Sequence, residues 1–132
     1  MKKIILIITA IILTGCLGET GKGYITKQCT KTENINGLTK QTEVKIKSLK
    51  GNVELIEIIE TYDKNLDLTS ITNSKKSEQN SYKNIKIEMN ENVFTYTIET
   101  KNLTEEEKEK YNVKKEQHQQ VKTFENQGYT CK

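Results

Sequence analysis

Residues 85–98 read Ile-Lys-Ile-Glu-Met-Asn-Glu-Asn-Val-Phe-Thr-Tyr-Thr-Ile and carry the clearest β-hairpin pattern in the chain. Apolar and polar residues alternate on both sides of the polar segment Asn90–Asn92, which predicts two strands joined by a turn. Successive side chains of a strand point to opposite faces, so the apolar set is expected to line one face of a sheet. That set consists of Ile85, Ile87, Met89, Phe94, Tyr96 and Ile98.

The segment before this hairpin, residues 24–62, has the pattern of a three-stranded antiparallel meander. Asn36-Gly37 favours a tight hairpin turn because both residue types tolerate positive φ, and Lys50-Gly51-Asn52 marks the next turn. The third strand has apolar residues on both of its faces, which predicts a central strand covered at least partly on each side. The three predicted strands are Tyr24–Thr32, Thr42–Leu49 and Val53–Tyr62.

The middle segment, Asp63–Asn84, is polar and rich in Ser, Asn and Lys. Asp63, Asn65 and Asp67 place oxygen ligands at alternate positions, as at the start of a calcium loop, but the Gly and Glu that such a loop requires further along are absent. The segment is therefore interpreted as a solvated turn followed by a helix. The predicted helix has only a thin apolar stripe, formed by Leu68, Ile71, Tyr82 and Ile85.

The C-terminal third has a helical pattern with a break near Asn112. Thr104 and Glu107 have the spacing of a capping box at the start of a helix, and Gly128 suits a helix C-cap. Tyr129–Cys131 is expected to return extended to the sheet. The sequence thus predicts an α+β fold, in which an antiparallel sheet of about five strands packs against a long C-terminal helix.

The first fifteen residues have the three parts of an export signal. Lys2 and Lys3 supply a positive start, and Ile4–Leu13 is apolar apart from one threonine. Ten residues rise only about 15 Å as a helix, half the thickness of a bilayer core. The pattern therefore predicts a cleaved signal peptide rather than a permanent transmembrane helix.

Leu13-Thr14-Gly15-Cys16 has the pattern of a lipobox, the processing site of bacterial lipoproteins. Small residues give a peptidase access to the bond before Cys16, whose thiol is expected to take the diacylglycerol. Acyl chains contribute about 0.8 kcal/mol per buried methylene, so two or three chains hold a protein durably at a membrane. The predicted organisation is a signal peptide in 1–15, a lipidated cysteine and flexible tether in 16–23, and one domain in 24–132. The expected location is the extracytoplasmic face of the cell membrane.

Two further cysteines, Cys29 and Cys131, lie near the two ends of the predicted domain. An exported protein faces an oxidising exterior, so we predict that they form a disulfide. Redox-active pairs normally have Cys-x-x-Cys spacing, which this pair lacks, so a structural bridge is preferred. Closing a loop of about 100 residues contributes roughly 4–5 kcal/mol in the chain-entropy model.

The charge balance of the chain is nearly neutral. All 21 basic residues are lysines, and export removes two of them, Lys2 and Lys3, so 19 face 18 acidic residues. A nucleic-acid-binding domain needs a strongly basic face, so this class of partner is not expected. The absence of arginine removes bidentate clamps for carboxylate or phosphate from the available chemistry.

In its order of elements the chain resembles the YehR-like small bacterial lipoproteins of unknown function. The resemblance covers the lipobox cysteine Cys16, the early strands, the aromatic strand Val93–Thr100 leading into Asn102-Leu103-Thr104, and the C-terminal segment Gly128–Cys131. It implies an α+β domain with an antiparallel sheet packed on helices. It brings over no functional residues.

The other residue types that carry chemistry give no catalytic or metal-binding pattern. His118 is the only histidine and has no second ligand at helical spacing, so an exposed helix position is expected. The acidic run Glu105–Glu109 is interpreted as helix capping. Six aromatic residues are interpreted as core, with a binding groove as the alternative: Tyr24, Tyr62, Tyr82, Phe94, Tyr96 and Tyr111.

Three classes of function were compared on these grounds. The preferred hypothesis is a non-catalytic surface module that binds a protein, peptide or envelope component through the outer sheet face or the helices. The alternative is a small solute- or metal-binding lipoprotein that assists a transporter. A hydrolase is disfavoured by one histidine, two aspartates and no Gly-x-Ser-x-Gly motif. No cofactor is expected.

The lipobox generates a direct test. Cys16→Ser removes the only thiol that can carry the lipid at this position, so the variant is expected to leave the membrane fraction and to lose labelling by a fatty-acid analogue. The measurement is fractionation and labelling of cells that express the full chain, with Cys16→Ser beside the unchanged protein. Unchanged labelling and membrane retention of the variant would refute lipidation at Cys16.

Overall fold

The computed structural model describes residues 23–64 and 66–132, which form one antiparallel sheet with its helices. The predicted signal peptide 1–15, Cys16 and the tether up to residue 22 lie outside the described residues. In chain order the elements are β1 (Tyr24–Ile35), β2 (Leu38–Leu49), β3 (Asn52–Tyr62), α1 (Thr69–Ser81), β4 (Ile85–Asn90), β5 (Val93–Glu99), a 3-10 turn (Thr100–Asn102), α2 (Glu105–Lys110), α3 (Gln117–Asn126) and β6 (Thr130–Cys131).

The strands of the described region lie in the order β4-β5-β3-β2-β1-β6 and all neighbours are antiparallel. The predicted meander and hairpin are confirmed, but the prediction of about five strands is short by one. The sixth strand, Thr130–Cys131, is the extended tail that pairs with β1. Two residues carry too little periodicity to be counted as a strand from sequence.

The hairpin turns follow from residues that tolerate positive φ. Asn36 and Gly37 have φ values of 53° and 81°, and the two-residue loop joins Ile35 to Leu38. Two-residue loops with this backbone match the twist of the flanking strands, which fixes the strand register. Lys50 and Gly51 repeat the same geometry between β2 and β3, with φ values of 53° and 83°.

The hydrophobic core lies between one face of the sheet and the helices. The residues predicted from the hairpin alternation line it, with Met89 as the exception, because Met89 is 39% exposed near the end of the edge strand β4. On the opposite face of β3, Leu55, Glu57 and Ile59 are half-buried and Thr61 is buried, which agrees with the expected partial cover on each side. The core consists of Cys29, Val44, Ile46, Val53, Ile56, Tyr62, Ile85, Ile87, Phe94, Tyr96, Ile98 and Phe124.

The C-terminal third contains two short helices instead of one long helix. α2 ends because Asn112 takes a left-handed conformation, with φ of 51°. The N–H of Val113 then bonds to the carbonyl of Lys108 at 2.8 Å, which is the pattern of a Schellman motif. The prediction of one long helix is therefore wrong, because the chain leaves the helical conformation at Asn112. The linker that follows pairs with the start of β3, where the Val53 N–H donates to the Lys115 carbonyl.

The end of α3 is a second Schellman motif. Gly128 has φ of 95°, and the N–H of Tyr129 bonds to the Phe124 carbonyl at 3.1 Å. The Tyr129 and Phe124 rings pack edge to face with centroids 5.2 Å apart, the apolar contact that accompanies this motif. Gly128 is thus the C-cap glycine that the sequence predicts, and it turns the chain into β6.

Polar side chains hold much of the helix layer in place. α1 has no buried residue and no side-chain cap at its N-terminus. Its Gln79 side chain accepts from the Ile87 N–H and donates to the Ile85 carbonyl, both at 2.6 Å, so it pairs with β4 as a strand would. α1 is therefore anchored largely by polar contacts, with Ile71 packed against the core.

α2 begins at the predicted capping box. Thr104 accepts from the Glu107 N–H, and the Glu107 carboxylate accepts from the Thr104 N–H at 3.0 Å. The same carboxylate, 3% exposed, also accepts from the Asn84 N–H and side-chain amide, at 3.0 and 2.8 Å. Burial alone raises the pKa of Glu107, but these hydrogen bonds outweigh it and hold the pKa below its ordinary value.

Cys29 and Cys131 form the predicted disulfide. They face each other across β1 and β6, with α-carbons 4.0 Å apart, and they are separated by 102 residues in the chain. Gln28 and Lys132 exchange two backbone hydrogen bonds beside them, so the cysteines occupy a non-hydrogen-bonded pair, where α-carbons lie closest. The bridge joins the short strand β6 to the sheet.

Among the helices of residues 23–64 and 66–132, none has the length and apolar character that a membrane span requires.

Reduction of the disulfide is expected to lower the melting temperature by about 10 °C or more, because a loss of several kcal/mol is large in a domain of this size. Calorimetry of the oxidised protein, the reduced protein and a Cys29→Ala/Cys131→Ala variant checks this. The reduced protein and the double variant should agree. Equal melting temperatures before and after complete reduction would contradict the stabilising role.

Glu107→Gln is expected to cost about 1.5–3 kcal/mol of unfolding free energy at neutral pH, since it removes hydrogen bonds to a charged acceptor. The folded-state pKa lies below the unfolded value near 4.5, so the stabilisation is complete above that value. It is lost as pH falls through the lower folded pKa. Urea unfolding at neutral and acidic pH should show the variant approaching the unchanged protein in acid. Glu106→Gln, exposed on the same turn, is the control.

Candidate functional site

A row of alternating charges crosses the helix-covered face of the sheet between α3 and α1. Glu33 accepts from Lys31 and from Lys40, both at 3.1 Å, and the Lys40 ammonium lies 3.6 Å from the Glu60 carboxylate. The second oxygen of Glu60 accepts from Lys75 of α1 at 2.6 Å. Cations and anions therefore alternate along the whole row, and every carboxylate lies between two ammonium groups.

The row continues from Lys75 into a tyrosine cluster. The Lys75 ammonium donates to the Tyr96 hydroxyl, which in turn donates to Glu78 at 3.3 Å. The other oxygen of Glu78 accepts from the Tyr111 hydroxyl. One carboxylate of α1 thus receives hydroxyl groups from β5 and from the residue that ends α2, which joins three elements.

Burial of these groups changes their protonation equilibria. Burial alone lowers the pKa of Lys40, but Glu60 and Glu33 outweigh it and raise the pKa above its ordinary value. Burial, together with the charges of Glu60 and Glu78, raises the pKa of the Tyr96 hydroxyl well above its usual range. The pKa of Tyr111 is raised by burial and by its hydrogen bond to Glu78. Lys40, Tyr96 and Tyr111 therefore keep their protons at neutral pH.

The register of the strands places this row toward one end of the sheet. Lys40 pairs with Tyr62, the last residue of β3, and Glu33 pairs with Lys40. Tyr24, the first residue of β1, pairs with Leu49 at the opposite end. β1 has twelve residues and so spans about 36 Å at 3.3 Å per residue. The charged row is consequently remote from the point where the chain enters the domain.

The face of the sheet opposite the core is a separate surface with mixed polarity. Gln28 donates to Glu43 at 2.8 Å, and burial raises the pKa of Glu43 although Lys45 opposes the shift. Leu55 and Ile59 of β3 are half-buried on this face, where polar and charged residues of the adjacent strands flank them. The face is therefore neither a continuous apolar patch nor a single-sign charged surface.

The residues singled out in the sequence as calcium or histidine sites have local roles. Asp67 accepts from the Thr69 N–H at 3.0 Å and from its hydroxyl at 2.6 Å, and Asp63 accepts weakly from the Thr39 N–H. Asn65 lies outside the described residues. His118 is 76% exposed on α3, as predicted. The described residues contain no group of three or more His, Cys, Asp or Glu side chains placed to hold a metal ion.

The residues that the structure brings together were not predicted as a set. Glu60 lies on the same face of β3 as Ile56 and Ile58, so strand alternation alone points a carboxylate toward the core. That inward charge was the available signal. Nothing in the sequence shows which cation meets it, because Lys75 belongs to a different element.

This arrangement binds cations and positions hydroxyl groups, but it leaves no carboxylate in the row without a donor. A general base must accept a proton from substrate, whereas Glu78 already accepts two tyrosine protons and Glu60 faces two ammonium groups. Every carboxylate of the row is therefore already engaged by groups of the domain itself. No family model, curated protein or solved structure matches the chain.

Proposed function

We propose that this chain is a lipid-anchored bacterial lipoprotein of the YehR-like kind, exposed on the extracytoplasmic face of the cell membrane, where it acts as a non-catalytic binding module. The lipid is attached to Cys16, and the membrane is its first partner. A protein or another envelope component is the second, held by the end of the domain that is remote from the anchor.

The observation that carries the proposal is the disulfide between Cys29 and Cys131. Disulfides persist in oxidising compartments outside the cytoplasm, which agrees with the export signal and lipobox in the sequence. Only seven residues separate Cys16 from Tyr24, where β1 begins. A tether of this length reaches at most about 25–30 Å when extended, so the start of β1 is kept close to the membrane.

The remote end of the domain has the features of a contact surface. Ile35 in the tip of the β1–β2 hairpin is 51% exposed, and Leu66 after β3 is 43% exposed. They lie at the end of the sheet that carries Glu33, Lys40 and Glu60. Apolar side chains beside a balanced set of charges favour specific protein or peptide contacts over non-specific adhesion to a charged polymer.

The export part of the proposal is tested by thiol chemistry in cells. In the full chain, Cys29 and Cys131 are expected to resist alkylation by a maleimide-polymer reagent until reductant is added. A control that lacks residues 4–13 keeps the domain in the cytoplasm, where both thiols should react directly. External protease on spheroplasts should degrade the domain of the full chain only. Free thiols in the exported chain, or protection from external protease, would contradict this location.

The binding part is tested with a photo-crosslinking residue placed at Ile35, and at Lys50 as the matched control near the anchored end. Intact cells should give a discrete adduct from position 35 and none from position 50. Prior addition of excess soluble domain should compete the adduct away. Equal labelling from both positions would contradict a binding surface at the remote end.

A further inference from the structure

We infer that Glu60, Phe94 and Tyr96 form a binding site for the primary ammonium group of an external ligand, and that Lys75 fills this site when no ligand is present. These three residues are named the ammonium cage. The inference rests on the proposed binding function and specifies its ligand chemistry. It also makes α1 the segment that ligand displaces.

The cage holds Lys75 by the contacts expected for a bound cation. Its ammonium lies 2.6 Å from Glu60, donates to the Tyr96 hydroxyl, and sits 4.7 and 5.9 Å from the ring centroids of Tyr96 and Phe94. A carboxylate supplies charge, while the aromatic rings attract the cation electrostatically. Only 13% of the Lys75 side chain and 12% of the Glu60 side chain are exposed, so these attractions act with little competition from water.

The walls of the cage belong to the sheet, and α1 contacts them through Lys75 and through Glu78, which accepts from the Tyr96 hydroxyl. Glu60 and Phe94 are directly opposite each other in the pairing of β3 with β5, and Tyr96 follows two residues along the same face. Phe94 is fully buried and Tyr96 is 4% exposed. Since adjacent strands of the sheet fix these positions, departure of Lys75 leaves the walls in place.

The lysine that occupies the cage comes from α1, a helix held to the rest of the domain largely by polar contacts. α1 has no buried residue, no side-chain N-cap and no acidic residue in its first turn. Its sequence is rich in Ser, Thr and Asn, which compete for helical hydrogen bonds. Elements with few buried apolar contacts open locally at lower free energy than a core sheet. α1 is therefore expected to open at lower free energy than β3 and β5, which carry the cage.

The geometry selects an alkyl ammonium ligand. A compact ammonium on an aliphatic stem reproduces Lys75, whereas a planar guanidinium is wider and requires paired acceptors that a single Glu60 oxygen does not offer. Two sources share this chemistry, a lysine side chain in a partner peptide and a free aliphatic amine. Because Lys75 competes for the cage, the apparent affinity of the native chain is reduced by the fraction of molecules in which α1 is docked.

The test uses the full chain, oxidised and purified in detergent micelles. Lys75→Ala vacates the cage, and Lys76→Ala, an exposed neighbour on the same helix, is the matched control. The probes are Nα-acetyl-lysine amide and 1,5-diaminopentane, with Nα-acetyl-norleucine amide as the uncharged analogue. Titrations followed by the NMR signals of the Phe94 and Tyr96 rings give the dissociation constants. We expect Lys75→Ala to bind an amine about tenfold or more tightly than the native chain does. The control Lys76→Ala should bind the amine with the affinity of the native chain.

Three further results are expected if the cage is the site. Glu60→Gln in the Lys75→Ala background should weaken amine binding by about tenfold or more, and the norleucine analogue should bind neither protein. Saturating amine should speed hydrogen exchange in α1 of the native chain while leaving β3 and β5 protected. This last measurement requires no variant, so it holds even where Lys75→Ala fails to fold. The better-bound probe distinguishes a peptide lysine from a free amine.

The inference is overturned by equal affinity of Lys75→Ala and the native chain, by insensitivity to Glu60→Gln, or by unchanged α1 exchange under saturating amine. Each of these results would reduce the Lys75–Glu60 contact to an internal ion pair that docks a helix. Amine binding in micelles does not depend on export or on Cys16. Failure of the cage therefore leaves the localisation result standing, and failure of export leaves the amine titration standing.

Discussion

The disulfide between Cys29 and Cys131 is the constraint on which β6 and the docking of α3 depend. α3 and β6 follow a long excursion of the chain, and β6 contributes only two residues to the sheet. So short a strand has too few backbone hydrogen bonds to hold a chain terminus by itself. The covalent bond keeps β6 beside β1, and the Schellman motif at Gly128 carries that restraint back to α3, whose Phe124 enters the core.

Helix docking in this domain follows from a shortage of apolar residues. Hydrophobic residues make up 33% of the chain, including the apolar leader, and the sheet uses most of those in the domain. Side chains of the helices form hydrogen bonds to the edge strand and to the residue before it. Gln79 bonds to the backbone of β4, and Glu107 bonds to Asn84, which precedes β4. Such contacts are directional, so they fix the position of each helix but bury little surface.

The candidate site lies where the apolar face of the sheet meets the polar contacts of the helices. The sheet provides a carboxylate and two aromatic rings, and α1 brings the cation that meets them. Self-neutralisation of the charged row keeps the buried groups satisfied in the unliganded protein, because an unpaired carboxylate at Glu60 would be costly in this half-buried position. To occupy the proposed cage, a ligand must replace the contact between Lys75 and Glu60 that stabilises the free domain.

The sequence by itself determined most of the local structure. Alternation at Ile85–Ile98, the Asn36-Gly37 turn, the capping box at Thr104 and the glycine at position 128 each act within a few residues, and each appears where local chemistry placed it. The pairing of Cys29 with Cys131 was also accessible, because these are the two cysteines of the predicted domain 24–132. The lipobox and its lipid lie outside the described residues and stay predictions from sequence.

Tertiary structure decided the features that depend on distant partners. Thr130–Cys131 is a two-residue strand only because β1 lies beside it. The meeting of Lys75 with Glu60 joins a helix and a strand whose register and packing have no local signature. Sequence periodicity reports which face a side chain takes, whereas the identity of its neighbour is set by how the elements pack. The ammonium cage therefore became visible only in the folded chain.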